Sequence, residues 1–316
     1  MVMVPDSGVK STKFSSKLVD GARWQRRLPT KKSYVTPNNR NPGTGIPAGR
    51  ARWHAGAMCG RYVMARAVGD LLAEFDAELE EEIAIPPSWN VAPTADVPIL
   101  LERLVDGEPV RQLHLARWGL VPSWAKDPGI GSRLINARME TAPDKPAFRK
   151  AFAQRRCLLP ADGYFEWYGE KGHKQPFFIR PRDGGVLPMA GLYELWRDRD
   201  KADDDPHRWL WTAVVLTTEA PDDLGRIHDR MPLLVERDRW ADWLDPARND
   251  ADDLRELLVP AAPGRLEAYP VSTEVSNVRN NGPQLLDPLP LDPPLSDPLP
   301  TDSRFDADST SEPTLF

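Results

Sequence analysis

The chain has 316 residues, 41% of them hydrophobic and 28% charged, with a net charge of −6 at neutral pH. That length holds one large domain or two small ones with a substantial core, and the charge excludes a generic DNA-coating protein, which would be basic overall. Two cysteines make no disulfide framework and point to a reduced, cytoplasmic setting; no apolar run nears the ~18 residues of a membrane span, and the basic N-terminus lacks the apolar stretch of a secretory signal.

The charge is unevenly spread. Residues 1–57 hold 11 Lys and Arg against 2 Asp and Glu, a net of +9, with few periodic apolar positions and runs such as Thr36-Pro37-Asn38-Asn39-Arg40-Asn41-Pro42-Gly43. That composition predicts a disordered extension, either untranslated in the cell or removed after synthesis. A basic arm that binds nucleic acid is the alternative. Next comes Met58-Cys59-Gly60-Arg61-Tyr62, a candidate translation start. Beyond it Val68, Leu71, Leu72, Phe75 and Leu79 recur at helical spacing and predict an amphipathic helix. Short apolar runs bounded by Pro, Gly and charged turns predict strands at Val97–Leu101, Gln112–Trp118, Cys157–Pro160, Tyr164–Tyr168, Pro176–Ile179, Leu187–Leu195 and Trp209–Thr217. Two helices are expected late, near Asp238–Leu244 and Ala251–Leu258. Strands do not alternate regularly with helices. The reading is therefore an α+β fold, one domain over 58–282 on a mainly antiparallel sheet or barrel with flanking helices. Asp-Pro-Leu-Pro-like units run from Asp287 to Pro300, and alternating Pro blocks helix and sheet alike. With 1 basic against 7 acidic residues over 282–316, residues 283–316 are expected to be a disordered, extended acidic tail.

The chemistry of Cys59 depends on where the chain begins. As an internal residue it has only an amide nitrogen. If translation starts at Met58 and that Met is removed, Cys59 presents a thiol and a free α-amine, whose pKa of roughly 7.7–8.0 leaves a useful neutral fraction near pH 7. Such a residue condenses with an aldehyde to an imine, and its thiol then closes a five-membered thiazolidine. The internal start is the expectation, because the extension lacks folded character and ends at Met58.

Several polar-aromatic segments stand out from the apolar framework. They are Trp89-Asn90-Val91-Ala92-Pro93, Arg117-Trp118-Gly119-Leu120-Val121-Pro122-Ser123-Trp124-Ala125 and Ile135-Asn136-Ala137-Arg138-Met139-Glu140-Thr141. Then follow Pro160-Ala161-Asp162-Gly163-Tyr164-Phe165-Glu166-Trp167, Ile227-His228-Asp229-Arg230-Met231-Pro232, and Val271-Ser272-Thr273 with Asn277-Val278-Arg279-Asn280. In this order and spacing, from Met58 to about Gly282, the chain resembles the SRAP family, SOS-response-associated peptidase-like proteins that process abasic sites in single-stranded DNA. The resemblance implies an SRAP-like fold and covalent capture of the abasic aldehyde by an N-terminal cysteine, in the DNA damage response. It implies DNA–protein crosslinking, with abasic-lyase and auto-peptidase activities as further expectations. The family's catalytic positions match Cys59, Asn136, Glu166 and His228, and its phosphate-holding arginines match Arg61, Arg138 and Arg230.

The residue types agree with those roles and also admit plainer ones. The abasic sugar is mostly a closed hemiacetal, so a proton donor and acceptor is needed near its ring oxygen. Glu166, between Phe165 and Trp167, is placed for partial desolvation that raises a carboxyl pKa; alone, it reads equally as a solvated strand residue. His228 shuttles protons at neutral pH or steadies a phosphate, or belongs to a surface cluster with Asp229 and Arg230. Asn136 orients the amine or the sugar oxygen, or caps a turn. Cys157, in an apolar run, is expected in the core. Cysteines about a hundred residues apart lack paired zinc-ligand spacing, and no metal or cofactor is expected.

Residues 126–156 hold eight cations (Lys126, Arg133, Arg138, Lys145, Arg149, Lys150, Arg155 and Arg156) against Asp127, Glu140 and Asp144, a net of +5 and a candidate phosphate track. Trp124, beside it, is the candidate base-stacking residue, whereas Trp118, in an apolar run, is expected in the core. The expected partner is single-stranded DNA carrying abasic sites, bound by a monomer without membrane association, in a bacterial-type cytoplasm at the nucleoid or replication machinery. The competing readings are a cysteine peptidase or autoprotease using Cys59 with His228, and a non-catalytic single-strand-binding module.

Overall fold

The computed structural model describes residues 60–79, 84–170, 172–220 and 222–290. Cys59, the expected basic extension and the tail beyond residue 290 lie outside the described residues. In chain order the elements are β1 (Tyr62–Met64), α1 (Val68–Phe75), β2 (Glu78–Leu79), β3 (Ser88–Val91), β4 (Asp96–Val105), β5 (Glu108–Trp118), β6 (Asn136–Arg138) and α2 (Arg149–Gln154). They continue with β7 (Arg156–Ala161), β8 (Gly163–Tyr168), β9 (Gln175–Pro181), β10 (Leu187–Arg197), β11 (Trp209–Glu219), β12 (Arg230–Pro232), α3 (Trp240–Leu244), α4 (Ala251–Arg255) and β13 (Leu266–Pro270).

The α+β reading holds, with strands dominant. β10 pairs antiparallel with both β7 and β11, and β4 with both β5 and β7. A parallel pairing of β11 with β5, Thr212 opposite Arg117 and Ala213 opposite Trp118, then closes these five strands into a barrel. Side chains alternate across such strands. Ile99, Leu101, Cys157, Leu159 and Val215 share the inner face and are buried. Trp211 of β11 stacks on His114 of β5 and Tyr193 of β10 and lies under Arg103 of β4. The outer face packs on helices: Arg111 donates to the carbonyl of Phe75, and Arg156 to that of Trp243. Cys157 is a core residue, as expected, and burial pushes its thiol pKa up, away from any nucleophilic role.

A second, antiparallel sheet runs β13-β9-β8-β1-β3. Its own core joins Val63, Phe165, Phe178, Val271, Val275 and Leu285. Two of the boundaries that differ from the sequence reading have clear causes. The helix expected to reach Leu79 ends at Phe75, because Asp76 adopts a left-handed conformation and returns its N–H to the carbonyl of Leu72; Leu79 lies in β2 instead. The folded chain also runs past Gly282: Leu285 is buried, and the N–H of Leu289 donates to the carbonyl of Pro270. An apolar pair in a Pro-rich stretch found a partner surface that periodicity does not reveal.

Candidate active site and DNA-contact residues

The site begins at the N-terminal end of β1. Tyr62 lies opposite Tyr164 and Val63 opposite Gly163 in antiparallel register, and the N–H of Phe165 donates to the carbonyl of Arg61 at 3.0 Å. One more residue along this register sets Gly60 against Glu166. Among the described residues nothing lies within 4 Å of the position a Gly60 Cβ would occupy. Glu166 is only 3% exposed. The expected desolvation is present, but its source is different. Phe165 and Trp167 belong to the second core on one face of β8, whereas Tyr164 joins the barrel-side core on the other; strand alternation turns Glu166 to the Tyr164 side, away from its aromatic neighbours.

Arg61 is held from within the protein. Its Nη1 donates to Oδ1 of Asn90 at 2.9 Å and to the carbonyl of Val275 at 2.8 Å, and Nη2 reaches the carbonyl of Ser276 at 3.4 Å. The guanidinium carbon lies 5.9 Å from the Trp167 ring, whose Nε1 donates to Ser276 Oγ. Burial lowers the Arg61 pKa, but the group stays a cation. The other end of β1 is held by Asp162, whose carboxylate accepts from the N–H of Ala65 at 2.7 Å and Nε of Arg66 at 2.6 Å. Asn90, passed over as a site residue by sequence reasoning, is the node of this arrangement. Its segment, Trp89 to Pro93, was a signal that could have found it.

A second group forms on β11. Asn136, Ala137 and Arg138 of β6 pair with Val215, Leu216 and Thr217, while β12 pairs with the same end of β11 from its other edge, Pro232 opposite Thr217. Ala137 is buried and Arg138 exposed, so Asn136 lies in a strand and not at a turn cap. Arg230, the third arginine expected to hold phosphate, is engaged within the protein. Arg230 is 7% exposed, and its fork closes on both carboxylate oxygens of Glu140, at 2.7 and 2.9 Å, and on the carbonyl of Thr217 at 2.6 Å. Those hydrogen bonds hold the Glu140 pKa below the usual carboxylate range, with the charges of Arg230 and Arg138 adding to the effect.

The N–H of Arg230 donates to His228 Nδ1 at 3.1 Å. Asp229 lies 3.1 Å from the same nitrogen and favours protonation, but burial outweighs it and Lys174 opposes it too, so the His228 pKa is lowered. Lys174 sits between β8 and β9, so the β8–β9 hairpin is within electrostatic reach of His228. The two groups are also joined through the core. Tyr62 meets Trp118 edge-on at 5.1 Å, and Trp118 Nε1 donates to the carbonyl of Ile135, beside Asn136.

Trp118 is thus a core residue, as expected. Trp124 is 58% exposed on a turn anchored by Trp196 Nε1 donating to the carbonyl of Ala125. Lys126, Arg133, Arg138, Lys145, Arg149 and Lys150 are exposed. The other two cations of the expected phosphate track are structural. Arg155 pairs with Glu194 at 2.8 Å, and Arg156 is buried among five backbone carbonyls. Among the described residues no three His, Cys, Asp or Glu side chains group as metal ligands, and no helix is long and apolar enough to cross a membrane.

The chain is similar to several known proteins. The abasic site processing protein YoaM of Bacillus subtilis is 38% identical over 232 residues, which span 73% of this chain and 98% of YoaM. Abasic site processing protein YedK of Escherichia coli is 33% identical over 241 residues, covering 73% of this chain and all of YedK. A crystal structure of a protein from Bacteroides thetaiotaomicron, 23% identical, matches the fold with a TM-score of 0.63 over 73% of this chain and the whole of its own. Residues 58–278 match the family model described as SOS response associated peptidase. The chain belongs to the SOS response associated peptidase (SRAP) family.

Proposed function

We propose that this protein captures abasic sites in single-stranded DNA covalently, through Cys59 acting as the N-terminal residue. The observation that carries the reading is the β1–β8 register, which sets Gly60, the neighbour of Cys59, against the buried carboxyl of Glu166. The match to the family begins at Met58, and the relatives named for abasic site processing are covered almost end to end.

In this reading the neutral α-amine attacks the aldehyde carbon of the ring-opened deoxyribose, and loss of water gives an imine. The Cys59 sulfur adds to the imine carbon, and the thiol proton passes to nitrogen, closing a thiazolidine. One water is released overall, and no oxidant or reductant is needed. Ring closure is intramolecular, with an effective molarity on the order of 10⁵ M or more in well-oriented cases. Glu166 exchanges protons with the sugar ring oxygen and the carbinolamine. His228, its pKa lowered by burial, exchanges protons with the sugar or steadies its phosphate, and Asn136 orients the amine. Arg138 and the exposed lysines hold phosphates while Trp124 stacks on a base.

The test uses a chain beginning at Met58, with single strands that are abasic or intact, resolved on a denaturing gel. A heat-stable shifted band is expected only for the abasic strand. Cys59→Ala gives none. Cys59→Ser gives at most a labile imine, with strand cleavage by β-elimination. Equal heat-stable product from Cys59→Ala and the parent would overturn the proposal.

A further inference from the structure

Asn90 lies on β3, outside the residues given a chemical role above, yet it is 5% exposed and has both ends of its amide engaged. Oδ1 accepts from Arg61, and Nδ2 faces three carbonyls, of Val275 at 3.2 Å, Asn277 at 3.1 Å and Asn280 at 2.9 Å. The loop on which these carbonyls lie is tied back a second time, where the N–H of Trp89 donates to Asn281 Oδ1 at 2.7 Å. Nδ2 carries only two protons, so three carbonyls share them and hold the amide in one orientation. Arg61 shares the carbonyl of Val275 with Asn90. A buried amide thus locks one loop and one cation together, and that cation is two residues from Cys59.

We propose that Asn90 is a positioning residue for the capture reaction: by locking Arg61 to the 275–280 loop it fixes the direction in which the chain leaves β1 toward Cys59. This rests on the reading of Cys59 as the nucleophile. Asp162 holds the opposite end of β1 and the N–H of Phe165 holds the Arg61 carbonyl; the Asn90–Arg61 pair adds a hold on the Arg61 side chain, next to Gly60 and Cys59. Arg61 has to be an arginine for this. A lysine carries the same charge but has no planar fork to span the Asn90 oxygen and two carbonyls. As a bare phosphate contact, lysine would serve nearly as well.

The experiment measures the crosslinking rate at saturating abasic single strand, the affinity for the intact strand, and the thermal midpoint. It compares the parent, Asn90→Ala, Asn90→Asp and Arg61→Lys, each begun at Met58. Displacement of a reacting group by about 1 Å costs as much as 10²-fold. Asn90→Ala and Arg61→Lys are therefore expected to slow the saturating rate about 10- to 100-fold, with affinity changed less than about 3-fold and the final yield preserved. Asn90→Asp keeps the acceptor for Arg61 but sets an oxygen against three carbonyls, and is expected to lose rate as well. Arg61→Lys decides the matter even where Asn90→Ala fails to fold, since Arg61 is partly exposed. Parent-like rates at saturation in the folded variants, or weakened affinity with the rate unchanged, would overturn the assignment. A parent protein whose product does not depend on Cys59 would instead overturn the underlying reading.

Discussion

Arg138 and Arg156 look alike as letters in a basic stretch, and their surroundings separate them. Arg138 is exposed at the edge of the β11 group, so Arg138→Ala is expected to weaken binding to intact and abasic strands alike and reduce the slope of log affinity against log salt by about 1. Arg156 donates to the carbonyls of Phe152, Ala153, Trp243, Asp245 and Arg248, and burial lowers its pKa to about 10. Arg156→Ala strands those acceptors. It is expected to cost about 3 kcal/mol or more in denaturant unfolding while leaving the salt slope unchanged. Glu166→Gln keeps shape and hydrogen bonding but cannot exchange a proton, so a time course on abasic single strand is expected to be 10²–10⁴-fold slower, in keeping with the usual size of proton-transfer contributions of about that magnitude. A parent-like rate would make Glu166 structural. The candidate residues Cys59, Asn136, Glu166 and His228 were legible through the order and spacing of the polar-aromatic segments that resemble the family. Asn90 was not, because its partners Val275, Asn277 and Asn280 lie 185 to 190 positions along the chain.

At the scale of elements, the long strands β4, β5, β10 and β11 were legible because apolar side chains recur over many positions, each observed strand containing its predicted run. The three-residue strands β1, β6 and β12 were not, since so short a segment has no period to read; each exists because a longer neighbour offers free backbone groups. These short strands carry much of the candidate site, so they need pins. Arg230 and Glu140 supply one, tying β12 to the residues just after β6. The Glu140 pKa is lowered in the fold, chiefly by hydrogen bonds from Arg230. The stabilisation is therefore complete above the unfolded value of 4.5 and is lost as pH falls through the lower folded value. Glu140→Gln is expected to melt below the parent at pH 7, with the two melting curves converging as pH falls below 4.5. A gap that stays constant down to pH 3 would show that charge contributes nothing to the pin.

For the molecule as a whole, the antiparallel, barrel-like character was legible and the pairing that closes the barrel was not. Closure depends on β11 meeting β5 in parallel, a contact between strands far apart in sequence that no local pattern encodes. Closure also lets Trp118 bridge Tyr62 and Ile135, so the two halves of the site share one core. The local excess over residues 126–156 marked the cationic surface despite the acidic net charge; which of its eight cations are structural was not legible, and the six exposed ones lie between Lys126 and Lys150. Capture of the abasic sugar by the Cys59 amine and thiol together is tested by mapping the adduct. The crosslinked protein is treated with nuclease and trypsin, and its peptides are sequenced by mass spectrometry. The account predicts the sugar remnant on the N-terminal peptide Cys59-Gly60-Arg61, at the summed mass less one water, with neither a free amine nor a free thiol on that residue. A remnant on a lysine such as Lys126 or Lys150, or on protein that still carries residues 1–58, would contradict it.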